Sequence, residues 1–475
     1  MSTIKSQVVS GVKWSLFAKG ASQLFSWIST FFVIRILTPN DFGIIELATA
    51  IISLAMALGI SGFSDVIVQK KEHDTKLCNQ VFTISLLVNL LLFIIIFSSA
   101  GAVAQWFDAP NLEQVVQLLS VNVLTIAFTV VPSGILKRDM KFKPLSLIQL
   151  VMALSNAAIS LTFALNGFQY WSIPLGAFFS MIIFAVLINA QVRQKVAITF
   201  DFSDFRTYFN FGMFTIINRT LNFIFLKADT FIIGKALGIA PLGTYSVGSQ
   251  LANLPLEKTA ATLNQISYSG YAQIKNEPNS VAYYFVQSNR ILSILVFPIF
   301  WGMAAVAELI IGILLGEKWL GAVVVFQLLA LAMPFRIFQL ATHSAIAGLG
   351  NPKFNTKNLF VLCLLIPPSI AVGVNWGIAG AALAWSIAYL LFFVWMMGRS
   401  LGYLNVKVQD FLAAIFKPII SGILMVVCTL QVISFMGDSS LVTLISAIIA
   451  GAVTYAVTLL VLDKEVIQTI KKLKS

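Results

Sequence analysis

Charge is what this chain has least of. Asp, Glu, Lys and Arg make up 11% of its 475 residues, where a soluble globular protein carries about 25%. A soluble chain of this length would divide into two or three domains, yet no polar stretch is long enough to be one. The longest, near residues 68–78, 191–207 and 272–289, read as linkers. Histidine and cysteine are nearly missing too. His73 and His343 stand alone, and Cys78, Cys363 and Cys428 give neither a disulfide framework nor a metal-ligand spacing. No metal and no cofactor is expected. No outer loop exceeds about ten residues and no paired-carboxylate signature is present, which argues against a membrane glycan polymerase or ligase. The net charge of +12 is spread over short loops without a basic domain, so nucleic acid is not an expected partner.

What the chain has in excess is apolar surface: 58% of its residues are hydrophobic, more than one aqueous core can hide, whereas lipid absorbs it without burial against protein. Taking about 20 residues per crossing, spans are expected at about 10–34, 43–67, 79–103, 114–133, 145–166, 171–190, 208–233, 242–265, 291–315, 320–345, 357–374, 377–397, 411–435 and 440–462. The runs are too long for membrane strands and lack strict alternation. The first, with bulky residues throughout, reads as a retained helix instead of a cleaved signal. Pro367-Pro368 is expected to kink the eleventh span or end it early. With both termini cytoplasmic, 24 of the 31 basic residues fall on the inner side and only Arg35, Lys235 and Lys318 on the outer, as the positive-inside tendency requires. Trp14, Trp106, Trp171, Trp319 and Trp376 fall at the expected interfaces and read as depth anchors.

An internal repeat is visible. Arg35-Ile-Leu-Thr-Pro-Asn-Asp-Phe-Gly43 is echoed by Lys235-Ala-Leu-Gly-Ile-Ala-Pro-Leu-Gly243, Lys141-Phe142 by Lys353-Phe354, and the turn Asn166–Trp171 by Asn375–Ile378. The matched turns lie on the same side, so the repeats are parallel. The expected fold is an all-α polytopic membrane protein: a six-helix bundle over 1–207, a second over 208–400, and two further transmembrane helices with a basic cytoplasmic tail over 401–475. Two such bundles rocking about a seam would give alternating access.

Ionisable groups at bilayer depth are costly and persist when they pair, snorkel or line a wet cavity. Arg219 and Lys227 are eight residues apart on the seventh span, roughly one face, with Asn222 able to join it. They read as a basic wall for an anion or as members of an ion-pair network. Asp229 would neutralise a neighbour. Arg336 follows Pro334, where a kink opens space for a solute. Glu257 and Lys258 are adjacent after Pro255; Lys19 and Lys258 either bind or snorkel. Glu46 suits the start of its helix, Asp65 a pair with Lys70 or Lys71, and Glu308 a proton site. The substrate-binding candidates are thus Arg219, Lys227, Arg336, Lys258, Lys19 and Asn222. The ion-coupling or charge-network candidates are Asp229, Glu257, Asp65, Glu308 and Glu46.

The stretches Gly11-Val-Lys-Trp14, Arg35–Gly43, Ile135–Phe142, Lys227–Gly234 and Ala347–Pro352 resemble the Wzx-type polysaccharide exporters of the multidrug/oligosaccharidyl-lipid/polysaccharide flippase superfamily, nearest the colanic-acid exporter branch. The resemblance runs through essentially the whole chain. It implies transfer of an undecaprenyl-diphosphate-linked oligosaccharide across a bacterial inner membrane, through a cationic central cavity, coupled to H+ or Na+. It also implies work beside a polysaccharide polymerase and export machinery. A multidrug cation antiporter of the same superfamily is the alternative; it would favour an acidic cavity.

Overall fold

The computed structural model describes residues 14, 20, 22–23, 25–58, 67–68, 75–192, 194, 196–201 and 205–463, and of 57–58, 205–217 and 257–269 the helical backbone alone. Among the described residues every regular element is a helix. In chain order they are α1 (Phe25–Ile36), α2 (Pro39–Leu58), α3 (Thr75–Trp106), α4 (Pro110–Arg138), α5 (Phe142–Leu165), α6 (Ser172–Ala190), α7 (Phe205–Leu237) and α8 (Ile239–Gln273). There follow α9 (Pro278–Ala305), α10 (Ala307–Leu314), α11 (Ala322–Gly348), α12 (Pro352–Gly373), α13 (Gly377–Tyr403), α14 (Val408–Met436) and α15 (Leu441–Leu462).

Among the described residues ten helical stretches are long and apolar enough to cross a bilayer, one of them, Pro352–Tyr403, made of α12 and α13 joined by a short turn. α7 and α8 have the length but carry more polar residues. Rows of exposed apolar side chains, such as Leu87, Leu91, Ile94 and Ile95 on α3, form the surface that lipid covers. Two sequence expectations need correction. Pro367 and Pro368 do not end α12, which continues to Gly373; beyond the prolines the Val374 N–H still finds the Ile370 carbonyl. Trp319 is fully buried and is a core residue, not a depth anchor, whereas Trp106 and Trp376 are exposed.

The chain forms two compact units, Met1–Gly243 and Thr244–Ser475. This packing boundary comes later than the repeat-based one at 207/208, because α7 packs on α2. The helix pairing repeats within each unit: α3 on α4, α4 on α6 and α5 on α6 in the first; α9 on α11, α11 on α13 and α12 on α13 in the second. The appended helices follow a simple path, α14 against α9 and α15 against α14.

Asp463, which ends α15, fixes that attachment. Both of its oxygens accept from Arg290 Nη2 on α9, at 2.7 and 2.8 Å, and Lys417 Nζ of α14 lies 3.3 Å away. Burial pushes the Asp463 carboxyl up, but its bonds to Arg290 and Lys417 and their charges hold it below the ordinary carboxylate value. A depressed folded-state pKa contributes stability above the unfolded value near 4, and that contribution is lost on acidification. Asp463→Asn is therefore expected to cost about 2–3 kcal/mol, since it leaves Arg290 half-buried without its carboxylate. In thermal unfolding of the purified protein, the variant should also lose part of the wild-type dependence on pH below 4.

Candidate functional site

The repeat motif at Arg35–Gly43 is a helix start. Thr38 precedes α2; its backbone N–H and hydroxyl both donate to Asp41 Oδ2, at 3.0 and 2.6 Å, and the Asp41 N–H donates back to Thr38 Oγ1 at 3.2 Å. This is a reciprocal capping box with Pro39 at the first helical position. In the second copy Gly238, at φ +92°, stands where Thr38 stands and breaks α7 from α8. The two starts touch each other at matched residues. A methyl placed on Gly43 would overlap the carbonyl oxygen of Ile239, and one on Gly243 would overlap the carbonyl oxygen of Pro39 and sit 2.8 Å from the Gly43 nitrogen. Only glycine lets the backbones of α2 and α8 cross this closely.

One turn beyond this crossing stands the candidate site. Lys227 Nζ on α7 donates to Glu46 Oε1 on α2 at 2.6 Å, with side chains 28% and 21% exposed. The pair is thus partly exposed, unlike a sealed core pair. Glu46 lies two turns into α2, too deep to serve the helix start; Asp41 does that. Arg219 lies on the same α7, half-buried, and Asn222 between them is exposed. Asp229 Oδ1 accepts the Thr230 N–H at 2.8 Å. Lys235, at the end of α7, donates to the Trp106 carbonyl at 2.5 Å and to Asp108 at 3.2 Å.

In the second unit Arg336 is buried on α11. Its Nη1 donates to Asn253 Oδ1 of α8 at 2.8 Å, and its guanidinium lies 5.7 Å from the Trp385 ring centre. Tyr389 stacks on Trp385 at 5.0 Å and hydrogen-bonds Gln339. Glu308 is exposed in the first turn of α10, where a carboxylate complements the helix N-terminus. The ninth expected span is thus two helices, broken at Val306. Lys19 and Asp65 lie outside the described residues, and so do the side chains of Glu257 and Lys258.

Sequence reasoning missed a cavity of about 230 Å³ inside the first unit, between α2, α4, α5 and α6. Its wall is mostly apolar, with Thr49, Ser53, Asn122, Asn156 and Ser180 as the polar lining. Asn122 Oδ1 is buried without a hydrogen-bond partner. The cavity's sequence signal is the pair of amides, Asn122 and Asn156, inside otherwise apolar spans.

A family model described as "Polysaccharide biosynthesis protein" matches residues 32–324. The succinoglycan biosynthesis transport protein ExoT of Rhizobium meliloti is 22% identical over 97% of this chain and 94% of its own length. The lipopolysaccharide biosynthesis protein WzxC of Escherichia coli is 20% identical over 82% of this chain and 80% of its own. The lipid II flippase MurJ, in an inward closed conformation, superposes with a TM-score of 0.75 at 16% identity, covering 95% of this chain and 99% of that one.

Proposed function

Because the chain belongs to the polysaccharide biosynthesis protein family of multi-pass membrane transporters, we propose that it turns a lipid-linked oligosaccharide from the cytoplasmic to the outer leaflet of a bacterial inner membrane. The carrier is a polyprenyl diphosphate of the undecaprenyl type, and both chain ends stand in the cytoplasm, in line with the 24-to-3 division of basic residues. The observation that carries this reading is the pair of cations Arg219 and Lys227 on one half-exposed helix of a chain from this family. A diphosphate brings charge-assisted acceptors that cations can grip while the hydrocarbon tail stays in lipid. Lys227 is pre-oriented by Glu46, and an ammonium carries three N–H donors suited to phosphate oxygens. No bond of the substrate is made or broken. Alternating access supplies the movement, driven by a proton or sodium gradient, and the delivered unit passes to polymerase and export machinery.

The test is a flipping assay in proteoliposomes holding a fluorescent polyprenyl-diphosphate oligosaccharide, under imposed proton or sodium gradients. Transfer that depends on protein and on one of the gradients is expected. Transport of lipophilic cations without transfer of the lipid-linked sugar would overturn the reading in favour of a multidrug antiporter.

A further inference from the structure

The matched Lys-Phe turns before α5 and α12 differ in one respect that matters. Before α5 the basic residues are answered by an acid: Asp139 lies 3.4 Å from Arg138 Nε and 3.5 Å from Lys141 Nζ, and Lys143 lies 5.0 Å from the Trp14 ring centre. Two residues before Lys353, where the first copy has Asp139, the second copy has Asn351, whose side chain caps α12 by accepting the Phe354 N–H at 3.3 Å. The acid is gone, while cations remain. Lys353 and Lys357 are exposed one turn apart on α12. Arg399 of α13 joins them, its guanidinium carbon 4.7 Å from the Phe354 ring centre and 4.6 Å from that of Trp395. Among the described residues no carboxylate lies within ion-pair distance of these three.

The arginine is held for a purpose other than balancing charge. Two rings fix its plane, and one nitrogen donates to Asn358 Oδ1 at 3.1 Å. Asn358 is itself fully buried, with its Nδ2 unpartnered. A guanidinium has five N–H donors in a rigid fork that matches phosphate, and among the described residues Asn358 is the one side chain that accepts from it. The surface beneath it is hydrocarbon: Ile387, Leu391 and Val394 are exposed along one face of α13 and lead to Trp395, and Tyr403 lies beyond at the helix end. Aromatic rings at this level are the usual marker of the membrane interface.

We propose that the α12–α13 face is a binding site for the phosphate of an anionic membrane phospholipid of the inner leaflet. Arg399 forms the fixed contact, Lys353 and Lys357 the outer ones, and the Ile387–Leu391–Val394 stripe receives the acyl chain. The apolar stripe selects a lipid over a soluble anion, because a soluble anion has no use for it. Basic sites at the cytoplasmic ends of spans bind acidic headgroups in this way. The site belongs to the second unit, whereas Arg219 and Lys227 belong to the first, and it goes beyond the transport reading: it concerns the membrane the protein works in.

Native mass spectrometry of the full-length protein, released from phosphatidylcholine nanodiscs containing a minority of phosphatidylglycerol, tests it. Each basic side chain near an anionic surface contributes about fivefold in binding, so the variant R399Q/K353Q/K357Q should retain phosphatidylglycerol at least about tenfold less than the wild type. R399K should show an intermediate loss of about threefold, keeping the charge without the planar fork. K141Q/K143Q in the first copy should leave retention unchanged. Unfolding temperature in pure phosphatidylcholine, equal for wild type and variants, establishes that the fold is intact; K353Q/K357Q serves if the triple variant unfolds. Equal retention of phosphatidylglycerol by wild type and triple variant overturns the proposal, as does equal retention of phosphatidylcholine. Displacement by glycerol phosphate would mark a site for a soluble anion, and displacement by undecaprenyl diphosphate on equal terms would make the face part of the carried lipid's path; either result overturns it too.

Discussion

Alanine at Gly43 or at Gly243 is expected to lower transport at least tenfold and to cost the folded protein about 1–3 kcal/mol. The reason is that the added methyl meets main chain. At Gly43 it runs into the Ile239 carbonyl, and at Gly243 into the Pro39 carbonyl. A side chain could rotate away, but main chain cannot, and the Pro39 carbonyl is further held by the capping box of α2. The change has an opposing term, because alanine is better than glycine in a helix interior by roughly 0.8–1.0 kcal/mol. At Gly398, a helical glycine with nothing within 4 Å of the added methyl, only that favourable term operates. Gly398→Ala is accordingly the control, neutral or slightly stabilising. Both clashes open the same crossing, so the double variant G43A/G243A should be less costly than the sum of the singles. Thermal unfolding and the flipping assay on the four proteins decide the matter. Full transport by Gly43→Ala would remove the crossing from any role in the cycle.

The second large effect is expected at Lys227, where stability and transport should separate. Lys227→Ala leaves Glu46 without its partner and should cost about 1–2 kcal/mol, less than a sealed pair because both side chains are partly exposed. Transport should fall at least tenfold, the scale of one charge-assisted contact to phosphate. The neutral double variant K227Q/E46Q can keep a hydrogen bond across the same gap, so stability should return to within about 1 kcal/mol of wild type. Transport should not return, because the cation is missing. Glu46→Gln alone retains the ammonium and should keep more than half of the activity. Restored transport in K227Q/E46Q would instead identify the pair as a tie between α2 and α7 with no contact to substrate.

The helices were legible because lipid imposes a length and a composition on every crossing, and the run Leu441–Leu462 or Ser172–Ala190 satisfies both without help from tertiary contacts. Less legible were features that depend on which residue meets which. Glu46 looked like a helix-start acid until α7 brought Lys227 to it across 181 positions of sequence. The capping box at Thr38-Pro39-Asn40-Asp41 is a local pattern and could have been read directly. The fate of Pro367-Pro368 depended on whether the following residues could still close their own bonds, and they do. Val306 is an ordinary apolar residue, and nothing in its neighbourhood announces that α9 stops there. Trp319 falls at an expected interface, but its indole is fully buried. Among the charged candidates, proximity in sequence correctly placed Arg219 and Lys227 on one helix. It carried no information on the Asn253 amide that Arg336 engages.

The glycine crossing has a symmetry of its own. Pro39 opposes Gly243 while Gly43 opposes Ile239, the relation that two identical copies make across a twofold axis, where residue i meets j and j meets i. The repeat can therefore differ freely at Thr38 and Gly238 or at Asp139 and Asn351, whereas neither glycine can be widened, because each is fitted to the backbone of the other repeat.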